Sequence, residues 1–341
     1  MGYRFSGLYI FDLANNHQGS VSHGLDIIRQ VGEVARRHDV RGAIKFQFRD
    51  LPDFVHASHR ETTTNKHIPR FLSTNMSWDD FKILKDEVIK QGLVSICTPF
   101  DEISVDRIVD MDFDIIKVAS CSALDFPLME KISLTGYPVI VSTGGITLEQ
   151  VDNLVSFFDH KAVDFALMHC ISIYPTLDNQ CNLNNIKHFV ERYPGLDIGW
   201  STHESPNNIL PGALAYTLGA RVFERHVGIS TDTISLNAYS STPEQLSKWI
   251  EEIERAKKIL GTDQREIASQ EEIDSINTLK RGVYSVEKIK KGEKFTKKNT
   301  IFRFPCDVDQ LSAFDWKEGI VAEVDVVKGK KIKLLDVRLP T

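Results

Sequence analysis

Lys45 and Lys117, and further along His203 and His226, each stand at or just beyond the end of a short apolar run, in IKFQ, IIKVA, GWSTHES and FERH. Two lysines reaching into one apolar interior need a counter-charge, because a buried ammonium is tolerated only when it is paired. An anionic ligand would supply one. With the hydroxyls of Thr98, Ser120 and Ser142 around them, Lys45 and Lys117 could hold a phosphate or a carboxylate through charge-assisted hydrogen bonds. The other reading pairs each lysine with a carboxylate of the chain itself, Asp12 or Glu224. His203 and His226 could share a divalent metal through neutral imidazole nitrogens, or could be a hydrogen-bonded pair of core histidines. Two ligands do not identify a metal.

Chemistry of this kind needs elements that bring distant residues to one place. Short β-rich runs alternate with amphipathic stretches along the chain: LYIFDLA (8–14), GAIKFQ (42–47), LVSICT (93–98), FDIIKVA (113–119), PVIVST (138–143), DFALMHC (164–170), LDIGWS (196–201) and RVFERH (221–226). Between them lie helical patterns. Phe81, Leu84, Val88 and Ile89 recur behind a Ser77 or Asp79 cap, and TLEQVDNLVSFF starts at a Thr147 cap. After the last run, Leu246, Trp249, Ile250, Ile253 and Leu260 share a helix face. Eight strands, each followed by a helix, describe a (β/α)8 TIM barrel. A doubly wound sheet is the alternative, but no GxGxxG opens the first helix.

A barrel carries its chemistry at the C-terminal ends of its strands. The polar residues comply. Asp12 with Asn15, Asn16 and His17 ends the first run, Lys45 and Gln47 the second, Thr98 the third, Lys117 and Ser120 the fourth, and Ser142 and Thr143 the fifth. Ser172 and Tyr174 follow the sixth, Ser201 and His203 the seventh, and Glu224 and His226 end the eighth.

The rhythm stops at about residue 262. Residues 263–279 are polar and acidic and read as a linker, and residues 280–341 read as a small β-rich domain whose KKGE and KGKK runs are solvated turns. A formal charge of −6 and lysine runs without interleaved aromatics argue against a nucleic-acid partner. No apolar run is long enough to span a bilayer, and the five cysteines are scattered without a CxxC pair, which indicates neither a disulfide framework nor a cysteine zinc site and fits the cytoplasm.

In order and spacing, NNHQGS, IKFQ, CTPFD, IIKVAS, VSTGG, HCISIYPT, GWSTHES and FERHVG resemble the motifs of the sialic acid synthase family, and KRGVYSVEKIKKGEKFTKKN is similar to that family's antifreeze-protein-like (SAF) domain. The resemblance implies a TIM barrel followed by the small domain, in a domain-swapped homodimer where one subunit's SAF domain covers its partner's site. It implies a transferase that condenses phosphoenolpyruvate with an amino-sugar aldehyde, releases phosphate, and forms a 3-deoxy-ulosonic acid. Lys45, Thr98, Lys117, Ser120, Ser142 and Ser201 would then meet phosphoenolpyruvate, Gln47 and Tyr174 would line the sugar side, and His203 and His226 would hold Mn2+ or Mg2+. A metal-dependent pyruvate aldolase would need no phosphate site and leaves Ser120 and Ser142 unexplained. A non-catalytic sugar-binding paralogue would not need the lysines and histidines.

The departures from that family's pattern lie on the acceptor side. Asp12 stands where the family has Glu, Leu236 or Asn237 where it has an acceptor-binding Asp, and Phe304 beside Arg303 where the SAF domain has an arginine. The expected acceptor is therefore a sugar other than N-acetylmannosamine, such as a precursor of pseudaminic or legionaminic acid.

Overall fold

Eight parallel strands close on themselves in chain order, each paired with its sequence neighbours and β1 with β8. The computed structural model describes residues 2–60 and 64–338. It divides into two units, Met1–Gly261 and Thr262–Thr341. In the first, the strands are β1 (Leu8–Asp12), β2 (Arg41–Phe48), β3 (Val94–Pro99), β4 (Ile115–Val118), β5 (Val139–Ser142), β6 (Phe165–Cys170), β7 (Ile198–Thr202) and β8 (Val222–His226). The helices are α1 (Val21–Arg37), the short α2 (Leu51–Phe54) and α3 (His67–Ser73), then α4 (Trp78–Lys90), α5 (Glu102–Asp110), α6 (Phe126–Ser133), α7 (Leu148–His160), α8 (Asn184–Arg192), α9 (Leu210–Thr217) and α10 (Pro243–Leu260). This is the TIM barrel, and its closure rules out the doubly wound sheet.

Local chemistry starts the helices where the sequence places them. Ser77 and Asp80, Thr147 and Gln150, and Thr242 and Gln245 each form a reciprocal capping box, so Ser77 rather than Asp79 is the cap of α4. Ile89 and Leu260 are exposed, unlike the expectation that they share the apolar face; each lies in the last turn of its helix, beyond the strands the helix covers. The first strand ends at Asp12, earlier than the apolar pattern suggests, because the Asp12 carboxylate accepts the Ala14 N–H at 2.9 Å and Ala14 turns to φ 45°.

The strands bury both faces, as parallel barrel strands must. Inside, Leu8, Ile10, Ala43, Ile96, Ile115, Ile140, Ala166, Met168 and Val222 fill the barrel's lower layers. Outside, Phe46, Phe48, Phe113, Trp200, Phe223 and Trp249 pack between strands and helices. With that floor apolar, the polar residues occupy the upper ends of the strands. Strand register then aligns them: Asp12 lies opposite both Lys45 and His226, and Ser201 lies opposite Glu224.

In the second unit the stretch read as a linker contains α11 (Gln270–Asn277), capped by Ser269 and exposed throughout. Beyond it are two small antiparallel pairs, β9 (Gly282–Ser285) with β10 (Thr300–Arg303), and β11 (Val321–Ala322) with β12 (Val337–Arg338). Val283, Ile289, Phe295, Leu311, Ile320 and Ile332 form this unit's own core.

Candidate active site

Lys45 and Lys117 reach the barrel interior from β2 and β4, and the protein itself supplies their counter-charge. Lys45 Nζ lies 3.0 Å from Asp12 Oδ2 and 2.9 Å from Glu224 Oε1, and Lys117 Nζ lies 3.7 Å from Glu224 Oε2. All four groups are buried. The argument that two buried lysines require an anionic ligand is thereby corrected: two carboxylates already balance them. Burial opposes the Lys45 charge, but Asp12 and Glu224 outweigh it and hold its pKa above the usual lysine value. At Lys117 burial wins, and its pKa is pushed down despite Glu224. Burial alone would raise the pKa of Glu224, yet Lys117 and Lys45 hold it well below the usual carboxylate range. The site therefore contains one firmly held ammonium and one that loses its proton more readily.

The predicted hydroxyls surround this cluster. Ser142, at the end of β5, accepts from Lys117 Nζ at 2.5 Å, and Ser201, on β7, donates to Glu224 Oε1 at 2.9 Å. Thr98, on β3, has a buried hydroxyl with no partner. Ser120, just past β4, accepts the Gly144 N–H at 2.9 Å. A Cβ at Gly144 would sit 2.5 Å from Ser172 Oγ and 2.8 Å from Ser120 Oγ, so these side chains would have to shift to admit one.

The imidazoles meet on the other side of Asp12. Their ring centroids are 5.2 Å apart. His203 Nδ1 donates to the Ile171 carbonyl at 2.8 Å, which leaves Nε2 bare in the neutral tautomer. His226 Nε2 lies 3.3 Å from Asp12 Oδ2, its Nδ1 is buried without a partner, and burial pushes the ring's pKa down against the pull of Asp12. Each ring thus keeps a bare nitrogen, the form a divalent cation binds. Among the described residues, no group of three or more His, Cys, Asp or Glu side chains could hold a metal ion. A metal here would rest on the two imidazoles and on oxygens from outside the chain. The Tyr174 ring packs against His203 at a tilt of 48°, with centroids 4.1 Å apart.

Two predicted residues have other partners. Gln47 Oε1 accepts from Arg49 at 3.1 Å, which turns it toward the rim. Asn237 closes its own turn, its side-chain oxygen accepting the N–H groups of Tyr239 and Ser240 at 3.1 and 2.8 Å. That turn brings in Tyr239, whose ring centroid lies 5.1 Å from those of both Tyr174 and His226. The sequence offers no signal for Tyr239, because loop geometry alone aims it. Glu224 did carry a signal: it stands two residues before His226 on the same strand face, and so points inward with it. Cys170, at the end of β6, puts its sulfur 3.9 Å from His203 Nδ1. A surface hollow of about 600 Å3 lined by Gly2, Arg4, Lys161 and Asp164 holds none of these residues.

The sequence pattern of the NeuB family matches residues 34–265. A candidate spore coat polysaccharide biosynthesis protein E from Chromobacterium violaceum has a solved structure that superposes with a TM-score of 0.91 at 38% identity, covering 98% of this chain and 100% of that one. The N-acetylneuraminic (sialic) acid synthetase of Leptospira borgpetersenii, solved with citrate, superposes with a TM-score of 0.67 at 27% identity, covering 81% of this chain and 93% of that one. An uncharacterised protein of Methanocaldococcus jannaschii is 30% identical over 292 residues, 85% of this chain and 82% of its own length.

Proposed function

The chain belongs to the NeuB family, and from that premise we propose that it is a synthase of sialic-acid-like nonulosonic acids, condensing phosphoenolpyruvate with an amino-sugar aldehyde and releasing phosphate. The observation that carries this proposal is the buried pair Lys45 and Lys117, which share the Glu224 carboxylate and are ringed by Thr98, Ser120, Ser142 and Ser201. Lys45, kept charged by Asp12 and Glu224, holds a negative oxygen of phosphoenolpyruvate. Lys117, whose proton is more labile, takes another and can exchange a proton with it. The unpartnered Thr98 hydroxyl gains a partner when that anion arrives.

In the proposed reaction C3 of phosphoenolpyruvate forms a bond to the aldehyde carbon, and the aldehyde oxygen takes up a proton to become a hydroxyl. Water adds at C2 and gives up a proton. The C2–O bond to phosphate then breaks, leaving a keto acid and inorganic phosphate. The lysines stabilise the anionic phosphate and carboxylate through these steps. Asp12, between Lys45 and His226, orients both. Gln47 and Tyr174 line the acceptor side. A divalent cation, Mn2+ or Mg2+, fits the bare nitrogens of His203 and His226, and when bound it polarises the aldehyde as a Lewis acid. The protein would act in the cytoplasm as a domain-swapped homodimer whose SAF-like second unit covers the partner's site. Among the described residues, no helix is long and apolar enough to cross a membrane.

The test is phosphate release from phosphoenolpyruvate with Mn2+ and a panel of acceptors: N-acetylmannosamine, its 6-phosphate, and 6-deoxy diacetamido hexoses. Acceptor-dependent release with formation of an ulosonic acid is expected. Absence of release with every acceptor would sink the proposal. With Asp12 shortened and Asn237 engaged in its own turn, N-acetylmannosamine should trail the best acceptor by about a hundredfold in kcat/KM, since each buried group left unpaired costs roughly 1–3 kcal/mol.

A further inference from the structure

Lys45 and Gln47 share one face of β2, and Arg49 follows two residues on, just past the strand's end at Phe48, at the rim of the barrel mouth. Arg49 is the outermost of the three. Its guanidinium is clamped between Phe71 and Phe100, 4.1 and 3.7 Å from their ring centroids. Among the described residues its one side-chain hydrogen bond is the donation to Gln47, and Nε is buried without a partner. Among the described residues Arg49 makes no ion pair, and burial pushes its pKa down to about 10 although the charge of Asp12 is near enough to oppose that shift. A second arginine stands at the same rim: Arg70, from α3, donates to the Asn15 carbonyl and to Gln18 and is likewise free of an ion pair among the described residues. A small cleft of about 20 Å3 there is lined by Asn15, Gln47, Arg49 and Asn75 together with Leu51 and Met76.

A guanidinium fixed in an aromatic clamp, turned toward a cleft of mixed polar and apolar lining and making no ion pair among the described residues, is preorganised for an anion that arrives with a ligand. We propose that Arg49, supported by Arg70, binds an anionic group at the far end of the acceptor, of phosphate-monoester or carboxylate chemistry. The lysines hold one anion at the barrel floor, Gln47 meets the middle of the acceptor, and Arg49 takes its distal charge. This rests on the barrel mouth being the acceptor site.

Direct binding decides it without requiring turnover. Titration calorimetry of the full chain would compare inorganic phosphate, a hexosamine 6-phosphate, a hexuronate and the matching neutral hexosamine, for the wild type, Arg49→Lys and Arg49→Met. At least tenfold tighter binding of a charged sugar than of the neutral one is expected for the wild type, and the sugar phosphate and the uronate tell the two anion chemistries apart. Arg49→Met should erase that preference, and Arg49→Lys, which keeps charge but loses the planar fork, should keep part of it. If no anion binds the wild type more tightly than the neutral sugar, or if Arg49→Met keeps the preference, the assignment falls and Arg49 is a brace for its loop. Should Arg49→Met fail to fold, Arg49→Gln gives the same comparison. A chain that shows the preference but releases no phosphate would fail the synthase proposal alone.

Discussion

Glu224 accounts for more of the site's electrostatics than any other single residue. It faces both lysines and accepts from Ser201, and it is buried. Glu224→Gln keeps its shape and removes its charge, leaving Asp12 as the sole carboxylate beside two ammonium groups. We expect kcat/KM to fall by a hundredfold or more and stability to drop by about 3 kcal/mol, because breaking a buried ion pair leaves an uncompensated charge. Denaturant unfolding beside phosphate-release kinetics measures both, and a variant with unchanged stability would show that the lysines do not depend on this carboxylate. His17 sets a pH response. Burial, aided by Arg70, pushes its pKa from 6.5 to about 4, and its Nδ1 accepts the Gly19 N–H at 3.1 Å, a bond lost on protonation. The unfolded chain therefore binds a proton first as pH falls. Stability is full above pH 6.5, declines below it, and is lost by roughly 3 kcal/mol at about pH 4. His169 and His226 shift in the same direction. His17→Asn, whose side-chain oxygen can accept the same N–H, should flatten the acid limb of the stability profile; an unaltered limb would exclude His17 as a source.

At the scale of elements, the loop after β5 brings backbone close to the anion site. A methyl group at Gly144 would meet two serine oxygens within 2.8 Å, so Ser120 or Ser172 must move. Ser120 is one of the proposed phosphoenolpyruvate contacts, whereas Thr143, which ties the start of this loop to the Met168 carbonyl of β6, is not displaced by the methyl group. Gly144→Ala should therefore raise the KM for phosphoenolpyruvate at least tenfold while leaving the melting temperature nearly unchanged, a shift that follows from misplacing one hydroxyl. A large fall in melting temperature with an unaltered KM would make Gly144 a folding residue instead.

For the whole molecule, the start of the second unit is the weak point. Residues 262–269 are exposed and carry no regular structure, while each flanking unit has its own apolar core. Trypsin should therefore cut first at Arg265, yielding a barrel fragment and a small C-terminal fragment that both resist further digestion. Early cleavage inside either unit, seen by mass spectrometry, would contradict this division.

From the sequence alone the barrel was legible, because eight apolar runs alternating with capped amphipathic helices need no distant information. The same rhythm put Lys45, Lys117, Ser142, Ser201, His203 and His226 at strand ends, and strand ends of a barrel converge. Which of two counter-charges the lysines use was not legible, since a protein carboxylate and a bound anion leave the same pattern. Strand register brings in the protein carboxylates, placing Asp12 opposite Lys45 and aligning Glu224 within 3.7 Å of both ammonium groups, where a bound anion would be a second partner. Loop-borne residues lay further out of reach. Asn237 and Tyr239 differ by two positions in one turn, and only the hydrogen bonds that close that turn decide which of them faces the imidazoles. Arg49 continues the period of β2, but its clamp between Phe71 and Phe100 joins residues from three separate segments, a juxtaposition that exists only once the chain is folded.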